Sequence, residues 1–175
     1  MNAATKIPIE TLAEFLAHAI VLEQESVERY QQLADSMETH NNIEVAKLFR
    51  KLAHFGEKHA HEVEEHARAI DLPQISPWEF KWQFPESPER PCFDDAHYLM
   101  TTRQALTIAR HNEQEGQHFY AQVAAESSNE EVRKLAAEFA EEEAEHVQIL
   151  DHWLVNLTDA DSAPLEDLDP PNVVE

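Results

Sequence analysis

Four stretches of the chain repeat apolar residues every three or four positions, the period of one helix face. In the first, Ile9, Leu12, Leu16, Ile20, Val27, Tyr30, Ala34 and Met37 keep that beat, which is missed once, at Glu23. The second runs through Val45, Leu48, Phe49, Leu52, Phe55, Val63 and Ile70, and its stripe passes over Gly56 and His59. The third runs through Ala105, Leu106, Ala109, Tyr120 and Val123, and passes over Glu113 and Gly116. The fourth runs through Val132, Leu135, Phe139, Leu150, Trp153 and Leu157, and passes over Glu143 and His146.

Start signals bound these helices. Asn41-Asn-Ile-Glu44, Thr101-Thr-Arg-Gln104 and Ser128-Asn-Glu-Glu131 each have the form of a capping box. Few residues separate the first helix from the second, or the third from the fourth, so each pair is expected to be an antiparallel hairpin. Between the hairpins, from Leu72 to Asp95, lie five prolines with Trp78 and Trp82. Proline removes a helical donor and clashes with the preceding turn, so this segment is expected to cross over rather than continue a helix. The expected fold is an all-α antiparallel four-helix bundle over 1–157 with a long crossover over 71–98. The acidic residues 158–175 are expected to form a flexible tail. Trp78 and Trp82 are expected to pin the crossover to the bundle or to a partner chain.

Composition narrows the chemistry. Only Gly56 and Gly116 are glycine, too few for β-hairpins or phosphate-cradling loops. The net charge of -22 repels nucleic acid and anionic membrane surfaces and gathers cations; its bland reading is solubility. Cys92 is the single cysteine, which excludes an internal disulfide or a thiolate metal site. No apolar run is long enough for a membrane span, and no leader pattern opens the chain, so a cytoplasmic protein is expected.

The second hairpin repeats the first. Glu23-Gln-Glu-Ser-Val-Glu-Arg-Tyr30 aligns with Glu113-Gln-Glu-Gly-Gln-His-Phe-Tyr120, 90 residues on. Leu52-Ala-His-Phe-Gly-Glu-Lys-His-Ala60 aligns with Phe139-Ala-Glu-Glu-Glu-Ala-Glu-His-Val147, 87 residues on. Residues three apart share a helix face, so Glu143 and His146 point the same way, into the apolar stripe. Glu23, Glu113 and His59 lie on the apolar faces of their own helices. Ionisable groups gathered in a bundle core are costly unless a cation compensates them. Carboxylate oxygen with imidazole nitrogen suits iron or manganese and admits zinc. Tyr30 and Tyr120, seven residues after each glutamate, are expected to fill the core and to hydrogen-bond groups that support the ligands. The bland alternatives are core histidines bonded to carbonyls and boundary glutamates.

One glutamate from each of two helices with Glu-x-x-His from each of the other two is the dinuclear carboxylate pattern of ferritin-like bundles. On these residues the chain resembles that superfamily, in its rubrerythrin-like branch, over about residues 10–157. The resemblance implies a dinuclear iron site held by Glu23, His59, Glu113, Glu143 and His146. Two departures stand out. Gly56 occupies the position where a fourth glutamate is expected, and neighbouring Glu57 sits about 100° round the helix. Glu57 would reach the metal only through a kink or bulge. Gly116 stands where some rubrerythrins carry a further glutamate. The two glycines are expected to leave room for a small ligand, and the site to hold either a modified metal pair or one metal. The cysteines of a rubredoxin-type domain are missing, so the resemblance implies an external electron-donor protein, and it also implies a homodimer. Three functions stay open: a peroxidase- or ferroxidase-type oxidoreductase, an iron-handling protein that oxidises or buffers Fe²⁺, and a structural bundle with a degenerate site.

Overall fold

The computed structural model describes residues 8–82, 88 and 97–158. Its elements are α1 (Leu12–Thr39), α2 (Ile43–Ala67), a 3₁₀ turn (Pro77–Glu79), α3 (Thr102–Glu126) and α4 (Glu130–Val155). No strand occurs among the described residues. α1 packs along α2 and α3 along α4, so the two expected hairpins form and combine into an all-α ferritin-like bundle.

Local chemistry sets the helix ends. At α3 both halves of the expected capping box are made: the Thr101 hydroxyl accepts from the Gln104 amide, and Gln104 accepts from the Thr101 amide. α4 starts one residue later than Ser128 would place it, because Asn129 Oδ1 accepts from the amides of Glu131 and Val132. α2 is capped differently from expectation. Asn42 makes no side-chain cap, and its amide nitrogen instead donates to the carbonyls of Tyr98 and Met100, tying the α1–α2 corner to the approach to α3. α1 begins at Thr11, whose side chain accepts from the Glu14 amide. The second stripe ends at Ala67, short of Ile70.

The apolar stripes meet as two clusters rather than one continuous core. Phe15, Leu16, Leu22, Phe119, Tyr120 and Phe139 belong to the first. Tyr30, Leu33, Met37, Phe49, Leu106 and Leu150 belong to the second. Burial of such side chains contributes roughly 1.5–3 kcal/mol each, which is what holds four acidic helices together.

Trp82 joins the first cluster, stacked against Phe80 at 5.1 Å and edge-on to Phe119 at 5.0 Å. His18 lies beneath them, buried among helix residues, and pins the crossover. Its Nε2 accepts from the Lys81 amide at 3.0 Å while Nδ1 meets the Glu14 carbonyl at 2.8 Å. Of the two places expected for Trp78, the bundle is not the one it takes within the chain, where it is 84% exposed. The acidic tail beyond Thr158 and the thiol of Cys92 lie outside the described residues.

Candidate metal centre

A polar layer separates the two apolar clusters. Three carboxylates from three helices are buried in it: Glu23 of α1 at 3% exposure, Glu113 of α3 at 8% and Glu143 of α4 at 1%. His59 of α2 and His146 of α4 meet them with their rings 4.4 Å apart. A cavity is lined by these five residues together with Ser26, Tyr30, Gly56, Leu52 and Phe55 of the first hairpin and Trp153 and its neighbours of the second.

The contacts are mostly between carboxylates and imidazoles. His59 Nδ1 lies 3.3 Å from Glu143 Oε1, and His146 Nδ1 lies 3.0 Å from Glu113 Oε2. Ligand atoms of His59, Glu143 and His146 all fall within 4.8 Å of one another. Tyr120 donates to Glu23 Oε1 at 2.7 Å, and Tyr30 donates to Glu113 Oε1 at 3.1 Å. Glu143 Oε2 is buried without a hydrogen bond, with His146 Nδ1 3.5 Å away. An unsatisfied buried carboxylate oxygen costs at least about 1–3 kcal/mol, so the protein alone leaves this layer incomplete. A cation between carboxylate oxygens and imidazole nitrogens completes it, and this donor set suits iron, manganese or zinc.

Electrostatics say the same. Burial pushes the Glu23 carboxyl up to about 8, helped by the charge of Glu143. Burial pushes Glu113 up to about 7, against the hydrogen bond from His146. Glu143 is held down at about 2: burial opposes its charge, but His146 and His59 both bond to it. The same partners raise His146 to about 10 and raise His59, again against burial. Without metal, protons and imidazolium charge therefore do the neutralising.

The expectation for Glu57 is corrected. α2 is regular through this turn, with no bulge to swing residue 57 inward. Glu57 is exposed, accepting from Gln31 Nε2 at 3.1 Å and lying 3.4 Å from His54 Nδ1. The expected space at Gly56 is also smaller than the sequence suggests. Gly56 lines the cavity, but a β-carbon there would come within 2.8 Å of Val27 Cγ2, so Val27 already occupies the approach. Gly116 is buried without lining the cavity.

Four further residues around the site lie outside the set expected from the sequence. Ser26, three residues after Glu23, is buried against the cavity. Asn112 is buried and donates to the Tyr30 hydroxyl at 3.5 Å. Glu62 and Glu142 form a second group with His59, again with ligand atoms within 4.8 Å. Ser26 was legible in principle, since it aligns with Gly116 in the repeat.

Comparison with known proteins follows the same lines. Residues 14–154 match the family model described as Rubrerythrin. A crystal structure of an uncharacterized conserved protein from Magnetospirillum magnetotacticum MS-1 is 47% identical, over 85% of this chain and 96% of that one, with a TM-score of 0.66. No curated protein matches the chain.

Proposed function

The chain belongs to the rubrerythrin family, and on that premise we propose that it is an iron protein performing non-haem redox chemistry on peroxide or oxygen at a dinuclear or modified dinuclear centre. The observation that carries this reading is the Glu143 oxygen that no hydrogen bond satisfies, buried where carboxylates and imidazoles from all four helices converge. Glu23, Glu113 and Glu143 with His59 and His146 would hold the iron. Bound there, iron supplies the electron-transfer chemistry that the amino acids lack.

The residues around it do the rest. Tyr120 and Tyr30 fix one oxygen of Glu23 and of Glu113, leaving the other free to face a metal. The apolar clusters on both sides of the layer keep bulk water from the site. Three carboxylates against the +4 of two divalent ions leave a charge deficit, which a bridging hydroxide or bound anion would fill. Electrons would come from an external donor protein, and a homodimer is part of the same reading.

Protein reconstituted with Fe²⁺ without oxygen, then mixed with peroxide, tests the proposal. Consumption of peroxide over several turnovers with a reductant present is the expected result. Oxidation of Fe²⁺ with no sustained peroxide turnover would favour the iron-handling reading, which the net charge of -22 also suits. Failure to retain iron at all would leave a degenerate structural bundle.

A further inference from the structure

The seam between α2 and α4 changes character along its length. At one end Phe55 and Trp153 face each other with ring centroids 6.4 Å apart. Lys51 Nζ sits 4.1 Å from the Trp153 ring, and Lys58 Nζ lies 5.6 Å from Phe55. Two ammonium groups on an aromatic pair make this end unfavourable for a cation. One turn further along, His59 meets His146. Glu62 of α2 and Glu142 of α4 stand close to the same His59 and do not line the cavity.

These two carboxylates form a second group that shares His59 with the buried centre. One ligand atom of each lies within 4.8 Å of the others. Glu62 is exposed and Glu142 half-buried, so solvent reaches the group. Neither carboxylate is paired with a lysine or arginine among the described residues. Like charges held together across two helices repel unless a cation lies between them. The same His59 ring touches Glu143, whose other oxygen is buried without a hydrogen bond. His59 thus stands between a carboxylate pair open to solvent and a buried carboxylate with one oxygen that no hydrogen bond satisfies.

We propose that His59, Glu62 and Glu142 form a loading site, where a divalent cation is captured from solvent before it passes inward to Glu143 and His146. The proposal rests on the metal-centre reading above. Sharing His59 lets the ion exchange Glu62 and Glu142 for Glu143 and His146 without losing every protein ligand at once. The lysine-topped aromatic end remains for uncharged molecules.

Uptake of Co²⁺ by the metal-free full chain, followed by the visible absorption of the bound ion in a stopped-flow instrument, tests this. Three proteins are compared: wild type, Glu62→Gln/Glu142→Gln, and the charge-matched control Glu25→Gln/Glu28→Gln. The loading variant should fill roughly tenfold more slowly than the control and reach the same final stoichiometry. Equal rates for the loading variant and the control, with wild type loading normally, would overturn the loading site and leave the metal centre standing. A wild type that takes up no cobalt would sink both.

Discussion

The phenol of Tyr120 donates a 2.7 Å hydrogen bond to Glu23, a residue 97 positions earlier and in the other hairpin. Tyr30 returns the contact by donating to Glu113. Each half of the internal repeat therefore supports the carboxylate of the other half, and the hairpins are locked at the level of the buried carboxylate layer.

This crossing orders two substitutions. Tyr120→Phe strips Glu23 of its donor and is expected to cost about 1–3 kcal/mol in the metal-free protein. Tyr30→Phe should cost less, because Glu113 keeps its contact with His146. Metal retention should fall in the same order, by roughly tenfold or more for Tyr120→Phe. Thermal melts and competition with a chelator measure both; a larger loss for Tyr30→Phe would contradict the geometry.

Metal binding should release protons. Glu23 and Glu113 are raised to about 8 and about 7, so near neutral pH much of their population is protonated without metal. His146, at about 10, is then imidazolium. A cation needs all of them deprotonated, so affinity should climb with pH up to about 10, most steeply below about pH 7. Calorimetry in buffers of different ionisation enthalpy should show at least about two protons leaving per chain. A pH-independent affinity would mean that these groups are not the ligands.

Gly56 and Val27 form a coupled pair. Gly56→Glu alone forces a β-carbon against the stiff, branched side chain of Val27, at an expected cost of about 1–3 kcal/mol. Val27→Ala/Gly56→Glu should recover most of that stability and supply the fourth carboxylate. Iron per chain should then rise in the double variant if the native site is short of a ligand. Glu57→Gln should leave iron content unchanged, whereas Glu143→Gln should abolish it, as elemental analysis of the purified proteins would reveal.

His18 makes the crossover acid-sensitive. Its Nε2 accepts from the Lys81 amide, so the folded state needs the neutral ring. Burial lowers its pKa from the usual 6.5, assisted by Lys81 and opposed by the Glu14 carbonyl and carboxylate. A histidine depressed in the folded state binds its proton more readily when unfolded. Its contribution is therefore complete above about pH 6.5 and is lost as pH falls through the depressed value. His18→Gln should be less stable at neutral pH but lose less on acidification. The difference between the two proteins in urea midpoint from about pH 7.5 to about pH 5 isolates this effect from the other titrating groups.

The periodicity of apolar residues determined the four helices, their pairing into hairpins and the face each buries. Interruptions of those stripes marked Glu23, His59, Glu113, Glu143 and His146, since a charge on a buried face needs a reason. Only the tertiary structure decided which groups meet. A helical stripe specifies direction around one axis but not the axial register between helices. The crossed tyrosines, the closure of Val27 on Gly56 and the meeting of Glu62 with Glu142 each depend on that register. Glu57 shows the converse: one residue from the expected position is a turn of about 100°, enough to leave it in solvent on a regular helix. His18 sits on its helix like any other histidine until the crossover folds back and covers it.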